Sequence, residues 1–348
     1  MIHSGRERAR AILGKIGTMP TGPLNAITDV TGVKVGHTTL HQGLSVHTGV
    51  TAILPHKGSI FQDKVPAGIF IANGFGKIAG STQVEELGEL ETPILLTNTL
   101  AVPAVMQASL EYTLASNPDI QIRSINALVG ETNDSVLNDI TAFSITKEHA
   151  LQAIQSAQTG SVEEGSVGAG SGTVAFGWKG GIGTSSRTVE IRNAAYMVGV
   201  LVQSNFGGIL TLPDGVRYQP EGPEKGSSDG SIMIIIATDA PLSDRNLRRL
   251  ASRSMAGLAR TGSAFSNGSG DYAIAFSTAE SVRRTTSRRN SGLTNYQEIP
   301  NDNISGIFLA GIEATEEAIL NSLFMATDVQ GHTGLVKALP IGHLQSKH

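Results

Sequence analysis

Residues Ile232 to Ala237 read IMIIIA, an unbroken apolar run between Ser231 and Thr238. A run this short, rich in β-branched residues and with no polar face, specifies a strand covered on both sides. Such a strand needs layers above and below it, which points to a layered α/β or α+β fold and excludes a helical bundle. The preceding stretch, Pro213 to Gly230 (PDGVRYQPEGPEKGSSDG), is its opposite in composition and reads as a linker.

The rest of the chain supports the layered reading. Glycine-punctuated runs at 22–54 (ITDVTGVKVGHTT, VTAILP), FIANGFGK at 70–77, VGVLVQ at 198–203, Tyr272 to Phe276 and Ile307 to Ala310 read as strands. Helices are expected over Thr97 to Ser116, with Pro103 in the first turn or at a kink, and over Lys147 to Ala157 behind Thr146 as N-cap. Ser243 caps a long amphipathic helix with Leu247, Leu250, Ala251, Met255 and Leu258 on one stripe and arginines outside it, ended by Gly262. Glu313 to Ala326 reads as the last helix. No fixed-period repeat is present. The 348 residues suit two domains or one large layered unit.

Charge is sparse. The 26 basic and 30 acidic residues leave a net of −4, with no basic footprint for nucleic acid. The first 14 residues, MIHSGRERARAILG, lack the apolar core of a secretory signal, and no apolar run nears the ~20 residues of a membrane helix. A cytoplasmic location without membrane attachment is the expectation.

Several kinds of chemistry fall away on inspection. With no cysteine there is no thiolate nucleophile or thiolate metal site. The nine histidines form no H-E-x-x-H; His37 and His41 are four apart but in a strand region, so loop or surface histidines are expected rather than zinc ligands. Gly168-Ala169-Gly170-Ser171-Gly172 lacks both the P-loop lysine and the strand that leads into a dinucleotide fingerprint. No G-x-S-x-G elbow occurs at a strand-to-helix turn. The arginine run SVRRTTSRRN at 281–290 reads as a solvated loop or subunit contact.

Gly230-Ser231 remains. On topology alone it is a loop entering a strand. It also suits a self-cleaving precursor: glycine permits unusual backbone geometry, and the serine hydroxyl can attack the preceding carbonyl. Cleavage would leave Ser231 as an N-terminus whose hydroxyl is the nucleophile. Its α-amine, with an ordinary pKa of ~7.7–8.0, would be the general base. Such a site needs no histidine, cysteine, metal or cofactor.

Over nearly its whole length the sequence resembles the self-processing L-aminopeptidase/D-esterases and β-peptidyl aminopeptidases, the DmpA-like N-terminal-nucleophile serine peptidases. The resemblance rests on an ordered series: GPLNAITDVTGVKVGHTT at 22–39, TGVTAILP at 48–55, TNT at 97–99, VGETND at 129–134 and GSVGAGSG…FGWKGGIGTSSR at 165–187. VGVLVQSNFG at 198–207, DGSIMIIIATDAPL at 229–242 and NGSGDYAIAFSTA at 267–279 complete it.

That resemblance implies a single αββα sandwich of the type shared with ornithine acetyltransferases, cut between Gly230 and Ser231 into an α chain (1–230) and a β chain (231–348). It implies Ser231 as nucleophile, Asn205 as oxyanion donor, Ser269 and Asp271 around the new amine, and Glu131 near the substrate's ammonium group. The glycines at 165–183 become backbone bends around the substrate cleft. The implied substrate is a small peptide, amide or ester with a free amino terminus, and the implied assembly a homo-oligomer, tetramer or larger. Two alternatives stay open: a self-cleaving ornithine-type acetyltransferase, against which the serine at 231 counts because that class uses threonine, and an inactive amino-acid- or amide-binding homologue.

Overall fold

The computed structural model describes residues 5–220 and 230–345; half of the linker read at 213–230, positions 221–229, lies outside the described residues. Two sheets are built from β1 (Lys34–Gln42), β2 (Val46–Leu54), β3 (Val65–Gly74), β4 (Ile78–Ala79), β5 (Glu89–Leu90), β6 (Ile94–Asn98), β7 (Leu128–Thr132), β8 (Gly181–Ile191), β9 (Ala194–Asn205), β10 (Ser231–Thr238) and β11 (Gly270–Ser277). The first sheet runs β1-β2-β6-β7-β4 and the second β8-β9-β10-β11-β3-β5. Four main helices cover them: α1 (Val102–Ala115), α2 (Lys147–Gln155), α3 (Asp244–Arg260) and α4 (Ser305–Phe324).

Three apolar layers define the order αββα. Val50, Ala52 and Leu95 pack under Val105 and Ala108 of α1 and Ala150 and Ile154 of α2. Ile53, Leu96 and Leu128 of the first sheet meet Leu201, Met233, Ile235 and Ile274 of the second. Val202, Ile232, Ile234 and Ile236 pack against Leu247, Leu250 and Leu258 of α3 and Ala314 and Ile319 of α4. Strand β10 therefore sends alternate residues into two different layers, as a strand with no polar face must. The fold is an αββα sandwich.

The structure moves several expected boundaries. Thr97 and Asn98 close strand β6, and α1 begins only at Val102, with Pro103 in its first turn. There Pro's missing N–H leaves no broken bond. Ile307 to Ala310 is not a strand but the start of α4, whose residues Glu313 to Phe324 are all buried. A short apolar run cannot by periodicity tell a buried strand from a helix buried all round.

His37 and His41 lie in strand β1 as expected, with His41 exposed, whereas His47 lies in β2 and both it and His56 are buried. The 283–289 arginines are neither free nor merely solvated: Arg283, Arg284, Arg288 and Arg289 donate to carbonyl oxygens of Thr278, Val282, Glu280 and Arg284. Arg284 also stacks over Tyr296, so the run braces its own loop.

Candidate active site

The end of the second sheet gathers the candidate residues by register. Ser231, first residue of β10, pairs with Asn205, last residue of the antiparallel β9. On its other side Ser231 pairs with Gly270, first residue of the parallel β11, and Gly270 faces Gly74 of β3. Ser269 and Asp271 flank Gly270. Strand pairing thus brings together Asn205, Ser231 and Gly270, successive positions 26 and 39 residues apart along the chain, without any long side chain reaching out.

A cavity of about 470 Å³ opens over this edge, lined by Ser231, Asn205, Gly230, Glu131 and Lys77, with Phe75, Val136, Phe176 and Phe206 among its apolar walls. Ser231 and Asn205 are each 7 % exposed, so they are reachable only from the cavity. The Gly270 N–H donates to the Gly230 carbonyl oxygen at 2.9 Å and lies 3.3 Å from Ser231 Oγ. One backbone donor therefore serves the carbonyl and the hydroxyl on either side of the same bond. Gly230 is glycine for lack of space: a Cβ there would stand 2.2 Å from the Asn205 carbonyl oxygen.

The Asn205 amide is held from two sides. Its Oδ1 accepts the Val174 N–H at 2.9 Å, and its Nδ2 donates to the Asn133 carbonyl oxygen at 2.9 Å. With Oδ1 so engaged, Nδ2 is fixed as the donor end.

Ser269 and Asp271 stand behind Ser231 rather than on the cavity wall. Ser269 Oγ donates to Asp271 Oδ1 at 2.7 Å, and the second carboxylate oxygen is buried without a hydrogen-bond partner among the described residues. Burial pushes the Asp271 carboxyl up, and the Ser269 hydrogen bond offsets part of that.

Glu131 belongs to the other sheet, near the end of β7, and enters the cavity from across the inter-sheet layer. Its Oε1 accepts the Lys77 N–H at 2.8 Å and its Oε2 accepts the Thr99 hydroxyl. All six expected positions fall at this one end of the sandwich, four lining the cavity and two just behind.

Sequence reasoning missed several partners. Thr99, Asn133 and Gly270 lie inside the motifs TNT, GETND and NGSGD, so motif membership was a signal, but nothing assigned them a contact. Gln203 is a clearer miss: fully buried in β9, its Nε2 lies within 3.1 Å of Thr97 O, Thr132 Oγ1 and Ala169 O, tying the two sheets together beside the site. The glycines at 165–183 are mostly not cleft bends. Among them only Gly177 lines the cavity. A Cβ at Gly172 would meet His47 O at 2.1 Å and one at Gly183 would meet Ala318 O at 1.9 Å, so these glycines serve close packing on β2 and α4. Among the described residues no group of three or more His, Cys, Asp or Glu is placed to hold a metal ion.

Comparison with known proteins converges on the same chemistry. The chain is 40% identical to the β-peptidyl aminopeptidase BapA of Sphingosinicella microcystinivorans, across 93% of this chain and 88% of that protein. It superposes on the PH0078 protein of Pyrococcus horikoshii OT3 with a TM-score of 0.91 at 46% identity, covering 98% of each chain. The L-aminopeptidase D-Ala-esterase/amidase of Ochrobactrum anthropi, described as a prototype serine aminopeptidase with a variant of the Ntn hydrolase fold, matches with a TM-score of 0.90 at 34% identity over 97% of each chain. The profile of Peptidase family S58 spans residues 25–337, nearly the whole sandwich with every residue around the cavity, and this chain belongs to that family and is a peptidase.

Proposed function

We propose that the chain is a self-processing serine aminopeptidase whose nucleophile is Ser231 and whose general base is the α-amine freed at that residue. The observation that carries this reading is the register at the sheet end, which sets Ser231 between Asn205 and Gly270 on the wall of a cavity that also holds Glu131.

In the precursor, Ser231 Oγ attacks the Gly230 carbonyl carbon, polarised by the Gly270 N–H. The C–N bond breaks, the nitrogen takes the hydroxyl proton, and an ester results. Water hydrolyses that ester, leaving a Gly230 carboxylate and a Ser231 with free amine and hydroxyl. The two products are residues 1–230 and 231–348 of what folds as one unit.

In turnover, the Ser231 hydroxyl attacks the carbonyl of the substrate's first residue while the α-amine takes its proton. Asn205 Nδ2 donates to the developing oxyanion, a contact typically worth ~10²–10³ in kcat. The proton passes to the leaving amine, and water then releases the residue from the acyl-enzyme. The unpartnered oxygen of Asp271, backed by Ser269, suits the new ammonium group. Glu131, its carboxylate already oriented by Thr99 and Lys77, suits the substrate's own ammonium. The substrate class is therefore a small peptide, amide or ester with a free amino terminus; the resemblance to the family, and not the site, supports a homo-oligomer of four chains or more.

A denaturing gel tests the reading. Wild-type protein should resolve into two bands near a 2:1 mass ratio and hydrolyse aminoacyl p-nitroanilides. Ser231→Ala should stay one band and inactive. Persistence of a single wild-type band after long incubation would count decisively against self-processing, and light scattering on the same sample measures the assembly.

A further inference from the structure

Behind Asn205 lies a buried lysine for which the reaction above has no use. Lys179 is wholly buried, and its Nζ donates at 2.8 Å to the carbonyl oxygens of Gly170 and Gly180. It sits in a two-strand ribbon, Val174–Ala175 against Trp178–Lys179, in which Lys179 pairs directly with Val174. Val174 is the residue whose N–H holds Asn205 Oδ1. The other holder of that amide is the Asn133 carbonyl, and the next residue, Asp134, is the carboxylate facing Lys179 electrostatically.

We propose that Lys179, with Asp134 beside it, is a positioning residue that fixes the Asn205 amide with its Nδ2 toward the reacting carbonyl; this rests on Asn205 being the oxyanion donor. The ammonium clamps the two ends of the 170–180 loop, and so sets where the Val174 N–H points. Asp134 carries the Asn133 carbonyl and is itself held by Asn138 Nδ2 at 3.0 Å. An amide free to flip would turn Oδ1 toward the oxyanion, an acceptor where a donor is needed.

The placement is electrostatically costly, which sets it apart from ordinary packing. Burial pulls Lys179 down to about 7, against the opposing charge of Asp134, and pushes Asp134 up to about 6. Burial lowers His41 on β1 and His47 on β2, and the nearby Lys179 ammonium adds to the lowering of both. A methionine would fill much of the same volume without these conflicts, but would take the ammonium from the Gly180 carbonyl and leave the Gly170 carbonyl with the Thr173 hydroxyl in place of two donors.

The test is a double-mutant cycle. Lys179→Met, Asn205→Ala and the double variant are compared with wild type for kcat and KM on one aminoacyl p-nitroanilide, normalised to the processed fraction seen on a gel. Asn205→Ala should lower kcat by ~10²–10³. Lys179→Met should lower kcat about tenfold or more with KM within about twofold, and in the Asn205→Ala background it should change kcat by less than about twofold. Where Asn205→Ala only slows processing, the rate of band conversion of the four proteins supplies the same cycle. If Lys179→Met does not accumulate as folded protein, Asp134→Asn takes its place with the same expectation. Losses that multiply, or a raised KM at unchanged kcat, overturn the positioning role and leave Asn205 as assigned. An Asn205→Ala enzyme with wild-type kcat overturns both.

Discussion

At the scale of single residues, the site works by backbone proximity more than by reach. Asn205, Ser231 and Gly270 are strand-end neighbours, so their separation is set by sheet spacing and not by rotamer choice. Asp271 is the one group here whose charge can be read out directly. Burial already raises its carboxyl in the intact chain. On the proposed reading, an ammonium freed at Ser231 and the Asp271 carboxylate stabilise each other, which raises the pKa of the amine. The amine must be neutral to act as a base, so kcat/KM should climb with pH through that pKa. Asp271→Asn removes the charge and should move this limb down by about one pH unit. A pH–rate profile whose limb stays in place would separate Asp271 from the amine.

At the scale of elements, β10 is the hinge of the fold. Its odd and even positions feed two apolar layers, and Met233 Sδ would stand 2.7 Å from a Cβ at Gly130, so the sheets meet across this strand. Ile235→Ala should cost about 2–5 kcal/mol of stability, since a fully buried isobutyl-sized group leaves a cavity the packed sheets cannot close. Denaturant melts of the Ser231→Ala precursor measure this without interference from processing. Helix α3 is legible in the sequence because its 3.6 period is unambiguous, and β10 because its run is short, rich in isoleucine and preceded by a Pro/Gly-rich stretch. The start of helix α4 reads as a strand because the helix is buried nearly all round, its acidic residues Glu313, Glu316 and Glu317 included, and no polar face marks its period. The glycines of 165–183 were misassigned to the cleft because a glycine shows that space is tight, not what occupies it.

At the scale of the molecule, a buried ionic network ties the N-terminal segment and the second sheet to α4. Arg187, with no exposure, contacts Glu317 at 2.7 Å and Glu313 at 3.3 Å, and Arg10 adds a second cation to Glu317 at 2.5 Å. Burial pushes Glu317 up, but the Arg10 hydrogen bond and the two guanidinium charges outweigh it, and its carboxyl sits below the usual range. A carboxyl whose folded pKa is depressed contributes stability above its unfolded pKa, ~4.3, and loses it as pH falls through the folded value. Arg187→Met leaves two buried carboxylates short of a partner and should cost about 3–5 kcal/mol near neutral pH. The gap between variant and wild type should narrow as the pH is lowered below ~4.3, where protonation relieves the unpaired charges. Thermal melts across a pH series check both parts.

The sequence by itself determined the layered class, the strand that begins at Ser231, and the ordered motifs holding Glu131, Asn205, Ser269 and Asp271, because periodicity and local motifs are properties of neighbouring residues. Only the tertiary structure decided that Gly270 supplies a backbone donor at the bond between Gly230 and Ser231. It alone revealed that Gln203 joins the sheets and that Lys179 stands behind Asn205. Those facts depend on strand register and on which segments touch across the core. A chain encodes such contacts through the free energy of the whole packing, and no window along it carries them.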